Sequence, residues 1–440
     1  MKKNNALLIL LLSLMVCSCK KNNSQKVQGD TFFKLYNLPI QTNHKSSNTT
    51  IASSGSMVSD ANGSIYVWYY DSTVAALGRV AILKTDNKGN KIWNASYIPM
   101  LVACTDIDLN LNYFFKEDFV CIGQSLFICG RDSSGNWQLL KINCSDGKLT
   151  DQIPLNILQP GYRPYFQVRA MWATNEGNLL IGSWSAPGGG FQTPILSMMD
   201  PSGNLIWTNK SFPGRVPDSV NFNEEPCCFR ELSNGNYIFG TIGFYTFNDS
   251  SGNSLTSSML YLHHINSSGN IVSTDSLYQG TYNNSGLPAF INSNGASQIF
   301  YVFPSQGGYI IVSMEMYDFN QDTRLKILKT NGSLVVTDSS YISYTSTVLT
   351  SIAQDRAGNV IMSVCSQALP WPNAICDIYR ITPDGAVTKP VEIGLTDQSA
   401  FISGIYPTND NYLFMAGLIQ SGNVDNNHLF ILKTDNNVHY

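Results

Sequence analysis

The chain is written in short apolar runs, each closed by a polar turn, and one phrase recurs along its whole length. An aliphatic strand ends on Asp or Asn, and a glycine follows within a few residues. It reads Ile82-Leu83-Lys84-Thr85-Asp86 before Gly89-Asn90, Leu139-Leu140-Lys141-Ile142-Asn143 before Asp146-Gly147, and Ile195 to Asp200 before Gly203-Asn204. It returns at Leu262 to Asn266, Ile327 to Asn331, Ile378 to Ile381 and Ile431 to Asp435, giving seven copies at intervals of 51 to 66 residues. A phrase repeated at such spacing marks a repeat architecture with its insertions in loops.

A second β-rich run precedes each copy, as at Gly63 to Tyr69, Gly177 to Gly182 and Asn411 to Gly417. A further strand follows all but the last, twice with tryptophan, in Lys91-Ile92-Trp93 and Leu205-Ile206-Trp207. A variable fourth segment, such as Val168 to Thr174 or Phe401 to Pro407, leads into the next unit. Four short strands joined by tight turns make a propeller blade. The turns have the chemistry for this: Asp bonds its own backbone, and Gly accepts positive φ. No stretch combines helical caps with a long 3.6-residue period.

The last copy stops without a following strand, whereas Thr31 to Leu38 is a lone strand before the first unit, ended by Pro39. Each terminus supplies what the other lacks. The expected fold is therefore all-β: residues 31–440 form a seven-bladed β-propeller of four-stranded antiparallel blades, and the N-terminal strand closes the ring and removes the open sheet edges. The order of strand, strand, Asp-turn-Gly and Trp-bearing strand resembles quinoprotein-like and other propellers outside the WD40 group. No Gly-His and Trp-Asp pair recurs, and Asp86 to Gly89 is one residue too long for the sialidase-type Asp-box. That resemblance transfers no catalytic residue.

The N-terminus is different in kind. Lys2 and Lys3 precede an apolar run from Ala6 to Val16, which is too short to span a bilayer. At Val16-Cys17-Ser18-Cys19 the segment resembles the lipobox of bacterial lipoproteins. The resemblance implies a signal peptide over 1–18, acylation of Cys19, and a partner membrane entered by the acyl chains. Residues 19–30 are then a polar tether. Lys20 favours the outer membrane as the expected location, on either leaflet.

Export permits disulfides. Cys121 with Cys129, and Cys365 with Cys376, flank expected hairpin turns and are candidate bridges; free buried thiols are the alternative reading of these cysteines. A net charge of −4 gives no basic footprint, so nucleic acid is not an expected partner. Candidate chemistry is sparse, and no cofactor is expected. His263 and His264 are adjacent in a strand and point to opposite faces. Gly188-Gly189-Gly190 lacks the helix that a phosphate loop needs. Asp106, Asp108, Asp318 and Asp322 form acidic clusters without calcium-loop spacing. Glu224 and Glu225, beside Pro226 and the vicinal Cys227-Cys228, read as an exposed insertion.

The stronger signal is collective. Loops between the second and third strands open on one face of the ring, and Tyr69, Tyr70, Trp184, Phe191, Tyr245, Tyr317 and Trp371 fall in or beside them. Such rings stack on sugars or anchor proteins. The leading expectation is a non-enzymatic, membrane-anchored binding or scaffold propeller for a glycan, peptide or protein. The competing one is an exported propeller enzyme, a glycan hydrolase or lyase or a quinone-dependent dehydrogenase, which requires convergent carboxylates or His, Tyr and Arg groups near the channel.

Overall fold

A computed structural model of the chain describes residues 31–38, 40, 54–71, 79–102, 119–132, 134–155, 166–185, 193–210, 221–232, 234–248, 250–252, 254–283, 300–316, 322–345, 347–366, 376–393, 399–408, 412–420 and 427–435. The signal, the lipobox and the tether lie outside them. Antiparallel strands dominate, and no α-helix occurs among the described residues.

After β1 (Phe32–Tyr36), blade 1 comprises β2 (Ser54–Ser59), β3 (Ile65–Asp71), β4 (Arg79–Thr85) and β5 (Lys91–Val102). Blade 2 comprises β6 (Phe119–Ile122), β7 (Ser125–Asp132), β8 (Trp137–Asn143) and β9 (Leu149–Pro154). Blade 3 is β10 (Phe166–Ala173), β11 (Leu179–Ser185), β12 (Thr193–Met199) and β13 (Leu205–Asn209). Blade 4 is β14 (Asn221–Glu231), β15 (Tyr237–Asn248), β16 (Ser254–Ile265) and β17 (Ile271–Asn283). Blade 5 has β18 (Phe300–Ser305), β19 (Gly308–Met316), β20 (Asp322–Asn331) and β21 (Val336–Thr345). Blade 6 has β22 (Thr347–Gln354), β23 (Val360–Ser366), β24 (Cys376–Ile381) and β25 (Val387–Ile393). Blade 7 takes β26 (Ser399–Pro407), β27 (Tyr412–Gln420) and β28 (Asn427–Asp435) from the C-terminal part of the chain, and its fourth strand is β1.

The ring closes as the termini require. β1 pairs antiparallel with β28 from Phe32 opposite Lys433 to Tyr36 opposite Leu429. The Tyr36 hydroxyl then donates to the Gly89 carbonyl of blade 1 at 2.5 Å. Among the described residues the apolar core is not one mass but seven clusters, one in each seam between neighbouring blades. One seam joins Leu429 and Ile431 of blade 7 to Val67 and Leu83 of blade 1, which is how a closed wheel differs from an open row. Each blade is thus covered on both faces, so the second strands β3 and β11 are buried at every position. These strands read as continuous apolar runs, because two-sided burial removes the alternation of a half-exposed strand.

Two kinds of turn on one face fix the blades. In Asp86-Asn87-Lys88-Gly89-Asn90, Gly89 N donates to Asp86 O at 3.0 Å and Asp86 Oδ1 accepts from Lys88 N and Asn90 N. Asp200 builds the same turn, and hydrogen bonds from the Asn204 side chain and backbone hold its carboxyl below the usual range. The turn glycine has a second duty. Outer-strand rings of one blade lie on the turn glycine of the next: a Cβ on Gly147 would stand 2.9 Å from Trp93, and one on Gly269 would stand 2.5 Å from Trp207.

Blade 4 departs from this in a paired way. Ser273 takes the register position of Trp93 and Trp207, and the next blade's turn carries Leu334 at φ 58 where the others carry glycine. Leu334 is buried, so bulk has moved from the outer strand to the turn. Ser273→Trp alone is expected to destabilise by overpacking, about 1–3 kcal/mol. Adding Leu334→Gly is expected to relieve much of that cost, with a coupling of roughly 1 kcal/mol or more in a double-mutant cycle by denaturant unfolding. Strictly additive effects would contradict the size exchange.

The cysteines correct one expectation. In this structure neither Cys121 nor Cys129 forms a disulfide. In the β6–β7 hairpin Cys121 stands opposite Leu126, and Leu126 and Cys129 face opposite sides of β7 because side chains alternate along a strand. Cys121 joins the seam between blades 1 and 2, whereas Cys129 joins that between blades 2 and 3. Cys376 is disulfide-bonded, and Cys365 stands directly opposite it in the β23–β24 register.

Candidate active site

Antiparallel order puts the turns between first and second strands, and between third and fourth, on one face of the wheel. The remaining connections leave from the other face. Among the described residues blade 4 reaches furthest that way: β15 and β16 pair from Tyr237 opposite Ile265 to Asn248 opposite Ser254. Tyr245 lies in this extension, opposite Phe222 on β14 and Ser257 on β16.

Most of the aromatic residues singled out in the sequence are packed or undescribed. Tyr69 and Tyr70 are buried in β3, and Trp184 is buried near the end of β11. The Tyr69 hydroxyl is bonded to Asn94, and burial pushes it up to about 12. Phe191, Tyr317 and Trp371 lie outside the described residues, as do Asp106, Asp108 and Asp318. Among the described residues no three His, Cys, Asp or Glu side chains converge as metal ligands.

What the structure does bring together is a polar chain across blade 4. Glu224 is not in an exposed insertion: it lies on the inner strand β14 and is 2% exposed. A bulge at Cys227, the residue after Pro226, breaks the alternation and conceals the strand in the sequence. Thr241 of β15 donates its hydroxyl to Glu224 Oε1 and lies 3.0 Å from His263 Nε2 on β16. His263 is fully buried, with Nε2 3.4 Å from Glu224 Oε1 and Nδ1 3.0 Å from Thr274 Oγ1 on β17. The tautomer follows from donor counting. With Glu224 ionised, the single Thr241 proton goes to the carboxylate, so Nε2–H donates to Thr241, and Nδ1 shares a hydrogen bond with the Thr274 hydroxyl. Tyr261 stacks on the imidazole at 6.2 Å, fixing its plane.

This chain faces blade 3. Phe239, two residues before Thr241 on β15, packs with Trp172 and Leu180 of blade 3. On the inner strand β10, which lies against β14, a bulge turns out Arg169, and its guanidinium sits 5.7 Å from the centre of the Trp184 ring. The Trp184 and Trp172 indole nitrogens are buried without a protein acceptor. His264, by contrast, faces the other way and meets Asp275 Oδ2 at 3.1 Å.

Glu224, His263 and Arg169 are ionisable groups buried in the blades, as are Asp71, Lys84, Asp355 and Lys433. Such groups are costly to keep buried unless hydrogen bonds and partners satisfy them. A carboxylate backed by an oriented imidazole can move a proton, and a guanidinium on the neighbouring inner strand can hold an anion.

No protein-family model matches the sequence, and no curated protein matches it. Solved structures do. A polysaccharide lyase, Uly1, superposes with TM-score 0.55 at 9% identity, covering 91% of this chain and 94% of that one. An ulvan lyase bound to a glucuronate–sulfated rhamnose repeat gives TM-score 0.49 at 9% identity, covering 92% and 96%. An α-L-arabinofuranosidase from Fusarium graminearum gives 0.44 at 8% identity, covering 92% and 98%. At these identities the likeness establishes the propeller fold. The leading expectation of a non-enzymatic binding propeller is corrected to this extent: the fold is one that a polysaccharide lyase uses.

Proposed function

We propose that the chain is a glycan-cleaving enzyme of the cell envelope, tethered by an acylated Cys19, and that it cuts uronate-bearing polysaccharide by β-elimination. The observation that carries the reading is the Glu224–Thr241–His263–Thr274 chain set against Arg169 on the adjacent inner strand. Elimination needs a base for the proton on the carbon beside the carboxylate, and a cation to hold that carboxylate as charge builds on it. Glu224 takes the proton, and Arg169 holds the substrate carboxylate. His263 keeps Glu224 oriented through Thr241. The C–O bond to the leaving sugar then breaks, a double bond forms in the uronate ring, and the leaving oxygen takes the proton back from Glu224, which regenerates the carboxylate. A hydrolase would need a second carboxylate about 5–9.5 Å from the first, whereas Glu224 is the single carboxylate in the hydrogen-bonded chain described through blade 4. The likeness to a polysaccharide lyase supports the reading from the side of the fold.

The test is depolymerisation of a panel of purified polysaccharides, followed by size-exclusion chromatography. Uronate-bearing chains are expected to shorten while neutral arabinan and galactan stay intact. Shortening of the neutral chains alone would overturn the proposal.

A further inference from the structure

Blade 2 carries an irregularity that the other blades lack. Its third-to-fourth-strand turn, Asn143-Cys144-Ser145-Asp146-Gly147, closes with Gly147 N on Asn143 O, four residues back. The equivalent turns at Asp86, Asp200, Asn266, Asn331 and Thr382 close over three. The extra residue brings a cysteine. Cys144 Sγ stands 3.8 Å from Cys121 Sγ, on the last turn-side residues of the inner strand β6.

The backbone around Cys144 is held from both sides. Its amide donates to Gln124 O at 2.9 Å, beside the β6–β7 turn. Its carbonyl accepts from two groups of blade 1, Lys84 Nζ at 2.8 Å and Trp93 Nε1 at 3.2 Å, and the Tyr66 hydroxyl, which donates to Asp60 Oδ2 at 2.8 Å, lies 3.4 Å from it. Among the described residues β6 pairs with β7 from Phe119 to Ile122, and it shares that edge of β7 with the end of β5, whose Met100–Val102 pairs with Asp132–Gly130.

We propose that Cys121 and Cys144 form a disulfide in the exported protein, stapling the inner strand of blade 2 to a turn that is already anchored on blade 1. The oxidant is a protein or small-molecule disulfide of the envelope. The half-buried Cys121 thiolate attacks one of its sulfurs and expels a thiolate, giving a mixed disulfide. Cys144 then attacks Cys121 Sγ, forms the intramolecular bond and expels the second thiolate. The two cysteine protons end on the two sulfurs of the reduced oxidant, so two thiols are oxidised and one disulfide is reduced.

The full-length chain, exported and purified without reductant, is denatured, alkylated and mapped by mass spectrometry. The expected result is a Cys121–Cys144 linked peptide, with Cys129, Cys227 and Cys228 alkylated. The Cys121→Ser/Cys144→Ser double variant is expected to melt several degrees lower than the wild type, and the gap is expected to vanish when both are reduced. Alkylation of Cys121 and Cys144 even after incubation with oxidised glutathione overturns the proposal, as does linkage of either to another cysteine. A melting gap that survives reduction also counts against it.

Discussion

Removal of residues 31–38 is expected to abolish the cooperative unfolding transition of the whole propeller rather than trim one edge of it. β1 is short, but it is the outer strand of blade 7 and touches two blades at once. Its loss exposes the β28 edge from Leu429 to Lys433, strips Tyr36 and Leu38 from the seam shared with blade 1, and removes the Tyr36 bond to Gly89. Burying large apolar side chains contributes about 1.5–3 kcal/mol each, so the loss is on the order of 5 kcal/mol or more, comparable with the whole stability of many domains. Calorimetry of the truncated chain is expected to show a broad, low-enthalpy transition and aggregation through the open edge. A truncated chain that melts within a few degrees of the wild type would mean that the ring is held in some other way. Adding the 31–38 peptide in trans is expected to restore part of the transition.

Glu224→Gln is expected to cut glycan cleavage by about 10²- to 10⁴-fold, the usual contribution of a positioned acid or base, while the melting temperature stays within a few degrees. Glutamine fills the same space and its carbonyl still accepts from Thr241, so the hydrogen-bonded chain survives but has no proton acceptor. His263→Ala behaves differently, because it removes the middle of the chain. Thr241 and Thr274 then lose a buried partner, which costs roughly 1–3 kcal/mol. Activity is expected to fall with kcat reduced and KM little changed, since His263 orients Glu224 without touching substrate. Arg169→Ala is expected to raise KM for acidic chains most. Equal activity in Glu224→Gln and wild type would remove the proposed base.

The contrast between these two predictions follows what the amino-acid order made visible. Ring closure was legible because the missing strand at Tyr440 and the surplus strand at Thr31 to Leu38 are complementary. The tryptophans marked outer strands, and their reason emerged only in three dimensions, as rings lying on the turn glycines Gly147 and Gly269. Glu224 was hidden by its surroundings: Glu-Glu-Pro-Cys-Cys shows no alternation, because the strand bulges at Cys227 inside a blade covered on both faces. His263 gave the right strand and the right opposition to His264, but cross-strand partners twenty to forty residues away leave no local trace. Tyr69, Tyr70 and Trp184 seemed to border loops, yet they end second strands that are buried throughout. A sequence does not say which side of a strand ends in solvent when both sides meet another blade. Face parity, once the β6–β7 register is known, also separates Cys121 from Cys129.

Glycan cleavage by elimination is the claim on which the functional account turns, and the products report it directly. Oligosaccharides released from a uronate-bearing polysaccharide by the full-length chain should be analysed by mass spectrometry and ultraviolet absorbance. The account predicts fragments one water lighter than hydrolysis products, with the absorbance of an unsaturated uronate at the new non-reducing end and none formed by Glu224→Gln. Fully hydrated fragments without that absorbance, or the same unsaturated products from Glu224→Gln at the wild-type rate, would contradict it.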